Sequence, residues 1–355
     1  MATIAPSIDT TETAYRKQLS TNAAFLYMHG PQLANLKHAY REYLGQPLTP
    51  PTQKAVSEVL LFAPVYLNDI CPNECVYCGF RKSNNFKRTQ LSLDESVAQA
   101  KLLAEQGHAT IDLVTGEIPT DAFVDRVATT VRRILSETAV RKVNLNLGAL
   151  TEAHYQKLTA AGAYGYHIYQ ETYDTETYFK MHVEGHKRNM PYRLDAPERA
   201  LAAGFKAIGL AALLGLGPWE SDIPKLLLHA RYLKEKFPNA KLGFSLPRIQ
   251  SFEADGNFVV PHPMDDAIYM KTVCFVRQAF PDASITVTTR EPAAIRDQLL
   301  AFGVVNKISA GVSTKPGGYG HQHDEALDQF NIADHRSLDQ VKLAVQTAGL
   351  QAVTH

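Results

Sequence analysis

The chain is poor in cysteine, with 4 in 355 residues, and has a single tryptophan. So few thiols make no disulfide framework, and a soluble protein of the reducing cytoplasm is the expectation. There is no excess charge of either sign, since 36 Lys plus Arg face 36 Asp plus Glu. Without a net field, nucleic acid and anionic membranes are not the expected partners, and small molecules are. No apolar run reaches the about 18 residues of a membrane span, and residues 1–6 lack the features of a secretory leader. Internal repeats, low-complexity tracts and interdomain linkers are also missing. With 45% hydrophobic residues, the chain is long enough for one large α/β barrel or two medium domains.

What cysteine there is stands together. Cys71, Cys75 and Cys78 form a C-x3-C-x2-C run, and the fourth, Cys274, lies far along the chain. Three thiolates at this spacing hold three corners of a cubane [4Fe-4S] cluster and leave the fourth iron without a protein ligand, open to a small molecule. Three alternatives stand beside this reading. A structural zinc would need a fourth ligand from Cys274 or a histidine roughly 200 residues away. An electron carrier would want a fourth cysteine nearby. Uninvolved thiols seldom crowd so tightly. A non-catalytic metal-binding scaffold would also recruit Cys274, which sits in an apolar helical run over 270–276 and reads as a small buried hydrophobe.

Hydrophobic periodicity predicts helices over 12–45, and Pro50-Pro51 opens a further short helix through Val56, Val59 and Leu60. Beyond it, eight short apolar runs read as strands, at 61–67, 110–114, 142–147, 166–170, 207–212, 242–246, 285–288 and 305–309. Helical stretches at 92–106, 121–136, 151–161, 194–203, 222–236, 264–280 and 292–301 lie between them. This rhythm predicts the α/β class, a (β/α)8 TIM-type barrel, with an open doubly wound sheet as the alternative. The expected division is an N-terminal helical extension over 1–58, the barrel over 59–330 and a C-terminal helical tail over 331–355. Reactive groups of such barrels gather where strands end. Cys71, Cys75 and Cys78 follow the first strand, Thr115, Gly116 and Glu117 the second, and Arg248, Arg290 and Ser309 the last three. Asn146 closes the third strand and Gln170-Glu171 the fourth.

The cysteine loop, with Tyr77 before its last thiol, resembles that of the radical S-adenosylmethionine (SAM) enzymes. Ala63-Pro64-Val65-Tyr66-Leu67, Tyr169-Gln170-Glu171-Thr172-Tyr173, Thr288-Thr289-Arg290-Glu291-Pro292 and Lys315-Pro316-Gly317-Gly318-Tyr319 are similar to segments of their aromatic amino acid lyases. The likeness spans about residues 55–330. Arg193-Leu194, Pro197-Glu198-Arg199 and the Gly317-Gly318 loop are most similar to the tyrosine-cleaving branch of thiamine thiazole synthesis. The hydrogenase-maturing branch is set aside because no cysteine follows Cys274. A tryptophan-cleaving lyase, or one for another aromatic amino acid, remains the alternative.

The resemblance implies a SAM-cleaving enzyme that splits the Cα–Cβ bond of L-tyrosine, giving 2-iminoacetate (dehydroglycine) and p-cresol. It implies cluster ligation by Cys71, Cys75 and Cys78 and SAM contacts from Tyr77, Thr115, Gly116, Glu117, Asn146, Glu171 and Arg193. Glu117 would pair with the SAM ammonium and Gly116 would allow close backbone approach. Substrate would be held by Arg290 at its carboxylate and by Tyr66 and Ser309. His182, His186, His321 and His323 have no zinc-helix spacing and read as solvated groups or as neighbours of the site. The Arg81-Lys82 and Lys87-Arg88 pairs would steer an acidic electron donor such as a flavodoxin, and a thiazole synthase partner is a further expectation.

Overall fold

A computed structural model describes residues 12–249, 258–320, 323 and 325–354; His321 lies outside them. Eight parallel strands close into a barrel: β1 (Glu58–Tyr66), β2 (Thr110–Val114), β3 (Lys142–Asn146), β4 (Gly165–Glu171), β5 (Ala207–Ala212), β6 (Lys241–Ser245), β7 (Ser284–Val287) and β8 (Lys307–Ser309). Closure is made by β1 on β8, with Leu61 opposite Ile308 and Phe62 opposite Ser309. The predicted (β/α)8 class is therefore the observed one. Its strands are sealed on both faces, as the five buried residues of β2 show, and this is why they read as short apolar runs rather than alternating ones.

Helices wrap the strands with an apolar stripe turned to the barrel, and several start at a side-chain cap. In the helix Asp121–Glu137, Phe123, Val124, Val127, Val131 and Ile134 face inward at intervals of three and four residues. Ser92, Thr120, Thr151, Asp174 and Asp265 each accept a backbone N–H in the first turn of the helix they precede. Three helices, Glu12–Leu19, Ala23–Met28 and Gln32–Gly45, pack outside the barrel. Tyr40 anchors the third of these to the helix Asp266–Ala279 through a 2.6 Å contact of its hydroxyl with Thr272 Oγ1.

One local expectation is corrected, and two short strand pairings are added to it. No helix follows Pro50-Pro51: Val59 and Leu60 belong to β1, where pairing with β8 and with a ninth strand outweighs their helical spacing. That ninth strand, β9 (Gln351–Val353), follows the helix Leu338–Thr347 and runs parallel to the start of β1. Three residues after a left-handed glycine, Gly349, carry no periodic signal of their own. A short antiparallel ladder, Glu74–Cys75 with His182–Glu184, was likewise not foreseen.

Candidate active site

The cysteine loop leaves β1 and is held from all sides by its own backbone carbonyls. The Arg88 guanidinium donates to Asp69 O at 2.7 Å, Phe80 O at 3.0 Å, Arg81 O at 2.6 Å and Asn84 O at 3.1 Å. Arg88 is thus structural. Arg81 donates to Val76 O and lies 3.7 Å from Glu74, while Lys82 pairs with Glu184 and Lys87 with Glu325. Arg81 and Arg88 are thus drawn into the loop, while Lys82 and Lys87 keep 52% and 79% of their side-chain surfaces exposed.

Cys71, Cys75 and Cys78 line one cavity of about 1450 Å³, counting its open mouth. Burial pushes all three thiols up. Cys75 also feels Cys71 and Cys78 as like charges, and Cys78 feels Cys71, while Lys187 acts in the opposite sense on all three. Among the described residues no three His, Cys, Asp or Glu converge on a point as they would around a single ion. The sulfurs frame a space instead, and a polynuclear cationic cluster is the group that three crowded, desolvated thiolates suit. Cys274 lines no part of this cavity; it is buried in the helix Asp266–Ala279 beside Tyr43.

The expected SAM contacts, Tyr77, Thr115, Gly116, Glu117, Asn146, Glu171 and Arg193, all line the same cavity, and several of them have partners that the sequence reading did not assign. Glu117 accepts from Ala149 N at 2.8 Å and from Asn73 Nδ2 at 2.9 Å, and it faces Arg193 at 3.3 Å. Its carboxylate braces the cluster loop. A Cβ on Gly116 would lie 1.8 Å from Ile70 O and 2.9 Å from Cys71 Cβ. The close approach that requires glycine here is therefore that of the cluster loop itself.

Arg193, buried in the short helix Met190–Leu194, also donates from Nε to Tyr169 O at 2.8 Å. Glu171 is the one non-glycine at positive φ, 70°, among the described residues, at an irregularity of register in β4. This strained turn aims its carboxylate at Lys187, 2.5 Å away. Lys187 is a cavity residue that the sequence reading missed, since a lone lysine between the assigned elements carries no signal. Tyr77 donates to His182 Nε2 at 2.9 Å, because His182 Nδ1 faces Tyr178 O at 2.8 Å and so holds the ring proton. His182 is fully buried and burial pushes its pKa well below the usual histidine value, so it is a neighbour of the site and not solvated. His186 is exposed, and His323 pairs with Glu95.

Tyr66, Arg290 and Ser309 line the same cavity, brought together from β1, the turn after β7 and the end of β8, and Tyr66 packs edge-on against Phe80 beside the cysteine loop. Tyr66 donates to Gln329 Oε1 at 2.9 Å, and the Arg290 guanidinium lies 3.5 Å from the centre of the Phe330 ring. Ser309 Oγ accepts from Thr289 N at 3.1 Å, and its carbonyl accepts from Arg296. Glu291, next to Arg290 in sequence, is claimed by Arg248 at 2.5 Å, so Arg248 supports the rim and is not a lining residue. Gln329 and Phe330 went unnoticed in the sequence because they come from an irregular segment that crosses the mouth, tied by Gly79 N to Gln329 O at 3.3 Å. The Gly317-Gly318-Tyr319 loop packs from behind, its Tyr319 hydroxyl donating to Pro64 O at 2.8 Å.

A model of the radical SAM superfamily matches residues 65–229, and one of the biotin and thiamin synthesis associated domain matches residues 245–351. The 2-iminoacetate synthase of Escherichia coli (strain K12) is 31% identical over 302 residues, 85% of this chain and 78% of that protein. The 2-iminoacetate synthase of Salmonella typhimurium (strain LT2) is 30% identical over 351 residues, 96% of this chain and 90% of that protein. In fold, the FeFe-hydrogenase maturase HydG from Carboxydothermus hydrogenoformans superposes with a TM-score of 0.81 at 30% identity, covering 98% of this chain and 86% of that one.

Proposed function

Because the chain belongs to the radical SAM superfamily and is a carbon–carbon lyase homologous to 2-iminoacetate synthase, we propose that its substrate is L-tyrosine. Cleavage of the Cα–Cβ bond would give 2-iminoacetate and a 4-hydroxybenzyl fragment that takes up one electron and one proton to become p-cresol, with the imine feeding thiamine thiazole synthesis. The observation that carries this reading is the convergence of three thiols and the Tyr66, Arg290 and Ser309 set on one cavity.

Cys71, Cys75 and Cys78 would hold a [4Fe-4S] cluster. With it and SAM bound, the chemistry supplied is one-electron cleavage of a sulfonium, which yields a carbon radical able to remove hydrogen from the substrate amine. The chain's own residues place the reactants. Glu171, strained toward the cavity and neutralised by Lys187, presents a carboxylate to ribose hydroxyls, as Asn146 presents an amide. Arg290 offers a planar fork to the amino acid carboxylate, and Tyr66 and Ser309 offer hydroxyls to its amine. Phe62, Val114, Leu213 and Phe330 make the walls apolar, keeping water and stray C–H donors from a radical that attacks either.

Anaerobic incubation of the reconstituted protein with tyrosine, SAM and a reductant tests this reading. Equal amounts of 5'-deoxyadenosine and p-cresol are expected. Deoxyadenosine without p-cresol rejects tyrosine as the cleaved substrate, and a flavodoxin-type donor replacing the chemical reductant would extend the reading to its partner.

A further inference from the structure

The floor of the cavity is charged at a depth where parallel barrels are usually filled with branched aliphatic side chains. Lys307 Nζ lies 3.1 Å from Asp112 Oδ2, and His167 Nε2 lies 3.5 Å from the same oxygen. Asn144 Nδ2 donates to Asp112 Oδ1 at 2.7 Å. Burial alone would raise the Asp112 pKa, but Lys307 and His167 outweigh it and hold the carboxylate ionised.

Two strand glycines make room for this cluster. A Cβ on Gly209 would lie 2.0 Å from His167 Nδ1, and one on Gly165 would lie 2.6 Å from Asn144 Oδ1. A buried ion pair is poor value for stability, since aliphatic side chains of the same volume do as well or better. The cluster therefore calls for a ligand to explain it. Asp112, His167 and Lys307 all line the cavity, and their side chains keep 11%, 20% and 6% of their surface open to it.

Strand positions set its depth. Lys307 precedes Ser309 by two residues on β8, which at about 3.3 Å per residue places it roughly 6.6 Å further in. Asp112 stands in the same relation to Val114, and His167 to Tyr169. The Tyr169 hydroxyl feels the charges of both Asp112 and Arg290, and all three residues line the one cavity. Phe62, on which Lys307 Nζ rests 4.1 Å from the ring centre, supplies an apolar wall beside the cluster.

We propose that Asp112, His167 and Lys307 form the subsite for the phenolic hydroxyl of the substrate, with Asp112 accepting its hydrogen and Lys307 facing its oxygen, and that this subsite selects tyrosine over phenylalanine. The proposal rests on the tyrosine reading above. It makes these three residues determinants of specificity, since a buried polar site left without its partner rejects an analogue lacking the hydroxyl.

The test measures binding and turnover separately in the full-length holoenzyme. Dissociation constants for tyrosine, phenylalanine and O-methyltyrosine are taken before reduction, and kcat/KM for tyrosine and phenylalanine afterwards. The wild-type protein is expected to favour tyrosine by at least about 10³ in kcat/KM and to bind both analogues at least tenfold more weakly. The double variant Asp112→Asn with Lys307→Met removes both charges at near-constant volume. It should bring the tyrosine-to-phenylalanine ratio below about 10, with iron content and circular dichroism unchanged. Equal wild-type binding of tyrosine and phenylalanine overturns the subsite even if the variant does not fold, as does a double variant that keeps the ratio. Tyrosine-selective binding without p-cresol sinks the cleavage reading and leaves the subsite standing; p-cresol without selectivity does the reverse.

Discussion

Arg193 and Glu117 face each other at 3.3 Å, with 4% and 6% of their side-chain surfaces exposed. The pair joins three segments: Arg193 reaches Tyr169 O on β4, while Glu117 holds Asn73 in the cluster loop and Ala149 N after β3. One ion pair thus couples the geometry of the thiol loop to that of the strand ends around it.

Removing one member of such a pair leaves the other charged and buried, which costs about 3–5 kcal/mol. Glu117→Ala is expected to lower stability by this amount in chemical denaturation of the metal-free chain. Glu117→Gln, which keeps a carbonyl for Ala149 N, should cost less. A loss under about 1 kcal/mol for Glu117→Ala would show that the loop is braced elsewhere.

Gly116 supplies a second test of the same junction. With Ile70 O at 1.8 Å from an added Cβ, Gly116→Ala must displace the backbone next to Cys71. Reconstituted iron per chain should fall at least several-fold, while the far-ultraviolet circular dichroism of the barrel is kept.

The thiols divide three against one. Serine at Cys71, Cys75 or Cys78 should abolish the visible iron–sulfur absorbance and turnover together. Cys274→Ser should retain both, since Cys274 sits in an outer helix against Tyr43.

Arg290→Lys keeps the charge and loses the planar fork. The expected result is a rise of about 10²-fold in KM for the amino acid, with SAM affinity changed less than threefold. Equal losses for both ligands would place Arg290 in the SAM site.

Asp222 gives a pH signature. Burial raises its pKa to about 7, against the lowering effect of the Tyr173 N–H and Thr172. Between about pH 4 and 7 the folded chain keeps a proton that the unfolded chain releases, so this group's contribution is fully present at the acid end and is lost as pH rises through 7. Asp222→Asn should therefore stabilise the metal-free protein by roughly 1–3 kcal/mol at pH 8 and much less at pH 5, measured by denaturant midpoints at both values.

The residues differ in how plainly sequence announces them. Cys71, Cys75 and Cys78 are legible because their spacing is itself the chemistry: three donors for one cluster must come from one short loop. The eight barrel strands are legible because burial on both faces leaves short apolar runs between amphipathic helices. Arg290, Tyr66 and Ser309 could be placed at strand ends, and family likeness supplied the rest. Lys187, Gln329, Phe330 and the Asp112–His167–Lys307 cluster could not be found this way. Each is an ordinary polar or aromatic residue whose significance arises from what faces it across the barrel.

The linear chain by itself determined the cluster loop, the strand–helix rhythm and hence the closed barrel, because these depend on neighbours within a few residues. Only the folded molecule decided that Glu117 braces a loop, that Glu291 belongs to Arg248 and leaves its neighbour Arg290 to the cavity, and that charge collects on the floor. Those pairings join side chains tens to hundreds of residues apart. Their energies depend on burial and on distances of a few ångströms, quantities that exist only once the barrel has closed.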